Sequence, residues 1–154
     1  MYIAVVIGLM LILPTASIVS ELFVAHNGAL NALIVGKWFV FWAVGVRLVM
    51  AGIRQIIQPR YTAEIILGLK NSDAMLIVRE LGFANTAIGS AGLGSLFFPG
   101  WILPISTIGA IFYGLAGINH LTHRQRNTLQ NVAMSSDLFA AAVLVTTCLV
   151  IILR

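Results

Sequence analysis

Charged residues are scarce in this chain of 154 residues. Lys, Arg, Asp and Glu together make up 9% of the sequence, while hydrophobic residues make up 60%. Since about a quarter of the residues of an ordinary soluble domain are charged, this composition excludes a soluble fold and predicts an integral membrane protein. Each membrane crossing uses roughly 20 residues, so the length fits one membrane domain, residues 1–154, without a second folded domain.

Signatures of catalysis are also missing. The only cysteine, Cys148, cannot form an internal disulfide, and the sequence contains no H-E-x-x-H, no glycine-rich phosphate loop and no G-x-S-x-G. The three histidines do not provide facing ligands on two helices at one depth, as a bis-histidine haem would need. The sequence therefore predicts no catalytic residue, no metal and no resident cofactor, and it favours a protein that is not an enzyme.

Basic runs are absent as well, although the formal net charge is +4. Because the nine Lys and Arg residues are dispersed along a membrane chain, no nucleic-acid partner is predicted. The first segment, MYIAVVIGLMLILPTASIVS, has no Lys or Arg before its apolar run and no A-x-A cleavage site after it. We therefore expect a retained first helix and not a signal peptide.

Five apolar segments approach the length that spans a membrane. They cover residues 2–19, 37–57, 74–98, 101–121 and 137–153. None alternates polar with apolar residues over about ten positions, so strands of a membrane barrel are not expected. Between the second and third segments, residues 60–70 pair one apolar side with charged residues, which predicts a short interfacial helix. The predicted fold is an all-α bundle of five transmembrane helices.

The distribution of basic residues predicts the orientation of this bundle. The connections that follow the second and fourth segments carry Arg60, Lys70, Arg124 and Arg126. The positive-inside rule then places the amino terminus in the cytoplasm and the carboxyl terminus outside, in the periplasmic or extracellular space of a bacterial inner membrane. Aromatic residues in the turn at 97–101 fit the outer membrane interface.

Several polar residues are expected at one depth near the inner interface. Glu80 lies twenty residues before Gly100 and His120 lies twenty residues after it, so both should lie about 30 Å below this turn. The same layer should hold Arg54, Arg79, Asn119 and Asp137. One interpretation is that these residues contact head groups, with Asp137 at the start of the fifth helix. The other is a functional pocket that opens to the cytoplasmic leaflet.

Arg47 is expected near the middle of the membrane, ten residues into the second segment. An arginine at that depth costs about 2.5 to 3.5 kcal/mol on insertion scales, so it should face the bundle and find a partner. Tyr113, Asn85 and a backbone carbonyl are the candidate partners. The complete candidate pocket is Arg47, Arg54, Glu80, Asn85, Tyr113, Asn119, His120 and Asp137.

Glycines recur on one face of the third segment and again on the fourth. Gly82, Gly89 and Gly92 follow helical spacing, as do Gly109 and Gly117. Small residues at this spacing let membrane helices approach closely. We therefore expect the third and fourth helices to pack against each other through these faces.

Residues 52–137 resemble an uncharacterised family of small bacterial membrane proteins similar to the DoxX-like group. The resemblance rests on VRELGFANTAIGSAGL, FFPGW, YGLAGINHL and the spacing of Asn131 and Asp137. The matching positions are Glu80, Gly82, Ala84, Asn85, Gly89, Tyr113, Gly114, Gly117, His120, Asn131 and Asp137. The resemblance implies a four-helix bundle to which the first helix is an addition. It also implies, for some relatives, a role in quinone-linked or thiol-linked redox systems.

Three functions remain open at this point. The leading expectation is a non-catalytic accessory or structural subunit, packed with membrane lipids and with other membrane proteins or a second copy of the chain. The alternative is a component that binds a quinone or another lipophile, such as a lipid, with Glu80 and His120 handling protons. A small transporter is the third, although it would need a midplane site and preferably an internal repeat.

Overall fold

The computed structural model describes residues 2–24, 31–69, 71–122 and 126–153 of the chain. Five long helices and no strand occur within these ranges. The helices are α1 (Tyr2–Val24), α2 (Ala32–Ile57), α3 (Asp73–Gly94), α4 (Ile102–Thr122) and α5 (Thr128–Ile152). The prediction of an all-α helical bundle is confirmed.

Among the described residues, four helices, namely α1, α2, α4 and α5, are long and apolar enough to cross a membrane. These helices confirm the prediction of a helical membrane protein. Although α3 has 22 residues, it carries Asp73, Arg79 and Glu80 and is not one of the four. The described residues therefore contain four candidate spans, and the fifth predicted crossing, by α3, stays a prediction.

The largest difference from the predicted boundaries is at the start of α5. The helix begins at Thr128, nine residues before the predicted start at residue 137. Asn127 caps it, because its side chain accepts a hydrogen bond from the Gln130 amide while the Gln130 side chain accepts one from the Asn127 amide. The polar residues before Asp137 lower the local hydropathy, yet they belong to the first turns of the helix.

Close packing joins α3 to α2 and not to α4. A methyl group added at Gly89 would lie 2.6 Å from the backbone nitrogen of Val49, and one at Gly82 would lie 2.9 Å from the carbonyl oxygen of Gly52. Gly92 lies equally close to the backbone of Gly45. The expectation that the glycines of α3 meet those of α4 is therefore wrong, because the matching glycine pair, seven residues apart, is on α2.

The two glycines of α4 face other neighbours. At Gly109 an added methyl group would lie 2.8 Å from Val44 of α2 and 2.9 Å from Leu144 of α5. At Gly117 it would meet Leu138 of α5. Helix α4 thus packs mainly on α5, and α2 is shared by both helix pairs.

Helix α1 is attached to α2 by polar contacts between the carboxyl-terminal part of α1 and the amino-terminal part of α2. Glu21 accepts hydrogen bonds from the Lys37 ammonium at 2.6 Å and from the Trp38 indole at 2.5 Å. The Trp42 indole donates to Ser17 at 2.9 Å. Residues nearer the other ends of the two helices, among them Tyr2 and Arg54, line one cavity.

A short π-helical segment, Tyr61–Ile66, follows α2 where the interfacial helix was predicted. Its Thr62 and Ala63 side chains are buried, while Arg60 and Glu64 form an exposed ion pair at 3.3 Å. Lys70 and Arg124, which were used to predict the orientation, lie outside the described residues, as do two of the three histidines, His26 and His123.

Candidate functional site

Arg47 and Asp137 form an ion pair inside the bundle. The Nη2 of Arg47 donates to Oδ1 of Asp137 at 2.8 Å and also contacts the Ser136 hydroxyl at 3.4 Å. The two side chains are 13% and 8% exposed. The guanidinium also lies over the ring of Tyr113, with 5.0 Å to the centroid. Tyr113 was an expected neighbour of Arg47, whereas a carboxylate partner was not anticipated.

The position of Asp137 corrects the interpretation of this residue as the start of the fifth helix. Nine residues of α5 precede it, so it lies about 14 Å along the helix from Thr128. Its side chain faces Arg47, which is itself in the middle of α2. Asp137 is therefore not the start of a helix, and its carboxylate offsets the cost of burying Arg47.

A π-helical stretch in α2, Val40–Val46, ends directly before Arg47 and changes the backbone hydrogen bonding there. The Arg47 amide donates to the carbonyls of Trp42 and Val44 and not to that of Ala43, its acceptor in a regular α-helix. The Ala43 carbonyl accepts a hydrogen bond from the buried Tyr113 hydroxyl instead. Such π-helical stretches are frequent at functional sites, and this one fixes the ring that contacts Arg47.

A cavity of about 320 Å³ adjoins the ion pair. It brings together six of the eight predicted pocket residues: Arg47, Arg54, Asn85, Tyr113, His120 and Asp137. Most of the remaining wall is apolar and comes from α1, α2 and α4, with Val6, Leu9, Leu48 and Phe112 as examples. The cavity therefore has apolar walls and a buried polar group to one side.

Glu80 and Asn119 do not line this cavity. Both are exposed, as is Arg79. Residues 78, 82 and 85 of α3 are buried, and Glu80 lies on the opposite side of the helix from them. Glu80 and His120 were expected at the same depth, but only His120 lines the cavity. The structure therefore does not bring the predicted proton-handling pair together at this site.

Asn85, which lines the cavity, is paired with a second side-chain amide, that of Gln55. Its Nδ2 donates to Oε1 of Gln55 at 2.8 Å, and both residues are buried. The Oδ1 of Asn85 and the Nη1 of Arg47 are buried without a hydrogen-bond partner among the described residues. An unpaired buried polar atom costs about 1 to 3 kcal/mol, so a polar group placed against either atom would be stabilised.

Arg54 also lines the cavity, seven residues after Arg47 on α2. Its guanidinium stacks on the ring of Tyr61 at 3.6 Å from the centroid. The residue is half-buried, and within the described ranges it forms no ion pair. Tyr61 and Thr62 bring the π-helical segment into the cavity wall.

Sequence reasoning missed Gln55, Tyr61 and the contribution of α1. Tyr2, Val6 and Leu9 line the cavity, although the first helix was treated as an addition to the bundle. Gln55 could have been found, because a buried amide such as that of Asn85 needs a hydrogen-bond partner from a neighbouring membrane helix. No pattern within α1 indicated that this helix would form a wall.

No group of three or more His, Cys, Asp or Glu residues that could hold a metal ion occurs in the part of the chain that the structure describes. This chain matches no protein-family model, no curated protein and no solved structure. The resemblance to the DoxX-like group therefore stays a prediction.

Proposed function

We propose that this chain is a membrane-embedded protein that binds an amphiphilic small molecule in the cavity beside Arg47 and Asp137. One observation carries the proposal: Arg47 and Asn85, each with a buried polar atom that has no hydrogen-bond partner among the described residues, both line an otherwise largely apolar cavity. Small-molecule sites combine apolar walls with a few placed polar groups in this way. A quinone, the ligand class implied by the DoxX-like resemblance, is one amphiphile of this description.

Access from the hydrocarbon region supports an amphiphile over a water-soluble ligand. Val5, Met50 and Leu81 line the cavity and are 38%, 49% and 37% exposed, so the cavity is open at these apolar side chains. Apolar residues exposed on a membrane bundle face acyl chains. A lipophilic molecule can therefore approach the cavity between helices without crossing the head-group layer.

Binding is favoured over catalysis because the reactive groups are not arranged for proton transfer. Glu80 is exposed away from the cavity, and Asp137 is engaged by Arg47. His120 is the one predicted proton carrier that lines the wall. We therefore propose a protein that holds its ligand and leaves chemistry to another component.

The proposal includes five crossings of a bacterial inner membrane, with the amino terminus in the cytoplasm. Its support is that α3 packs along α2, from Gly82 against Gly52 to Gly92 against Gly45. A helix in backbone contact with a spanning helix over ten residues shares about 15 Å of its depth, roughly half of the hydrocarbon core. In this arrangement Arg54 and the π-helical segment lie at the cytoplasmic end.

Native mass spectrometry of the protein extracted with its surrounding lipid tests the binding proposal. We expect a retained amphiphile in the unmodified protein and its loss in Ala116→Trp, because Ala116 lines the cavity and the larger side chain would occupy the space of the ligand. The control is Leu115→Trp, because Leu115 is 63% exposed on the outer face of the same helix. Equal retention by both variants, or no retained amphiphile in any of the proteins, would contradict the proposal.

An accessory subunit is the second candidate, favoured by the outward face of α3. Glu80, Ala84 and Ala87 are exposed there, and a carboxylate beside small residues suits a protein neighbour better than acyl chains. A photo-crosslinking residue at position 87 should then form one discrete protein adduct, while the same group at Ile111, exposed on α4, should not. Lipid adducts alone at both positions would exclude this candidate.

A further inference from the structure

The cavity wall carries an excess of positive charge. Arg47, Arg54 and Asp137 are the Arg and carboxylate residues that line it, and His120 is formally neutral. The Asp137 carboxylate forms its ion pair with Arg47. Arg54 is thus left as a guanidinium that faces the cavity without a carboxylate partner among the described residues.

Arg54 is held in a position to meet a ligand. Its guanidinium stacks on Tyr61, with 3.6 Å from the guanidinium carbon to the ring centroid. Stacking orients the planar group, and because the N–H bonds lie in its plane they can still donate to a ligand. It lies seven residues from Arg47 on α2, about 10 Å further along the axis. The polar end of an amphiphile would meet Arg54, and its chain would meet Val6, Leu9 and Phe112.

We infer that the ligand is a single-chain amphiphile with an anionic head group, carboxylate or phosphate, which Arg54 recognises. This inference rests on the proposed binding function and adds the chemical class of the ligand. A carboxylate or phosphate accepts two parallel hydrogen bonds from a guanidinium. A cavity of about 320 Å³ is at the lower end of the size range of small-molecule sites, which suits one chain.

Three probes with the same monounsaturated hydrocarbon chain and different head groups test this inference. Oleate carries a carboxylate, oleyl alcohol is neutral, and an oleoyl lysophosphatidate carries a phosphate. Equilibrium binding of each is measured at pH 8 to the full chain in zwitterionic nanodiscs. We expect oleate to bind roughly tenfold or more tighter than the alcohol, the effect of about one charge-assisted hydrogen bond. If the lysophosphatidate binds tighter still, the anionic group is that of a lipid phosphate.

Variants of Arg54 assign the preference to this residue. Arg54→Gln should bind oleate and oleyl alcohol about equally, and Arg54→Lys should keep part of the preference because it keeps the charge. Arg60→Gln is the matched control, since Arg60 is an exposed arginine of the neighbouring segment that pairs with Glu64. Thermal unfolding of each variant establishes that it is folded.

The outcomes separate this inference from the proposed function. If oleate and the alcohol bind the unmodified protein equally, and both are lost in Ala116→Trp, the cavity binds amphiphiles and the anionic head group is wrong. If Arg54→Gln keeps the full preference for oleate, the assignment to Arg54 is wrong. If no probe binds to the unmodified protein, both the inference and the proposed function fail.

Discussion

At the scale of single residues, the pair of Arg47 and Asp137 is the most constrained feature of the bundle. An isolated arginine in the middle of a membrane helix costs several kcal/mol. Asp137 at 2.8 Å and the face of the Tyr113 ring offset that cost. Because each member of the pair is buried, neither charge can be removed without leaving the other uncompensated.

Removing one member of this pair should therefore destabilise the protein strongly. Asp137→Leu or Arg47→Met alone should each lower the free energy of unfolding by about 3 kcal/mol or more, since one buried charge is left unpaired. The double variant should lose less than the sum of the two single effects. Unfolding of all four proteins by denaturing detergent measures the coupling.

The ion pair of Lys37 and Glu21 provides the control cycle. These side chains are 28% and 29% exposed, so solvent and head groups screen the interaction. Its coupling should be smaller than that of Arg47 and Asp137, at about 1 kcal/mol or below. Equal coupling in the two cycles would show that burial does not set the strength of the inner pair.

At the scale of elements, the contact between α2 and α3 depends on glycine. Gly89 brings its backbone against that of Val49, and Gly82 does the same against Gly52. Both partners of these contacts are backbone atoms, which cannot move aside as the end of a side chain can. This contact also positions Asn85, which lies between the two glycines and reaches Gln55 of α2.

Gly89→Ala should accordingly force α2 and α3 apart. The added methyl group would lie 2.6 Å from the Val49 nitrogen, and overpacking of this kind costs about 1 to 3 kcal/mol. Gly114→Ala is the control, because its nearest neighbour would be the Ala141 methyl at an ordinary 3.8 Å. Thermal unfolding in detergent should show a lower midpoint for the first variant alone; equal midpoints would contradict the packing.

At the scale of the whole molecule, a crossing by α3 determines on which side of the membrane each connection lies. Helix α3 joins Ser72 to the turn at Gly100, and both ends are exposed. If α3 crosses the membrane with the predicted orientation, Ser72 faces the cytoplasm and Gly100 faces outward. The cavity then lies toward the cytoplasmic half of the bundle.

Single cysteines at these two positions test the crossing. In a Cys148→Ser background, Gly100→Cys should react with a membrane-impermeant maleimide in intact cells. Ser72→Cys should react only after the cells are permeabilised, because α3 places it on the other side. Labelling of both positions from the same side would show that α3 does not cross and that the chain has four spans.

The sequence by itself determined the membrane class, the helical fold and the need of Arg47 for an internal partner. These features depend on local hydropathy and on the rise of 1.5 Å per residue, which translates position along the chain into depth. Tertiary structure alone decided which residues share the cavity, because rotation about each helix axis is set by packing between distant segments. Glu80 therefore faces outward from its expected place along α3. Asp137, which was not among the partners expected for Arg47, pairs with Arg47 inside the bundle.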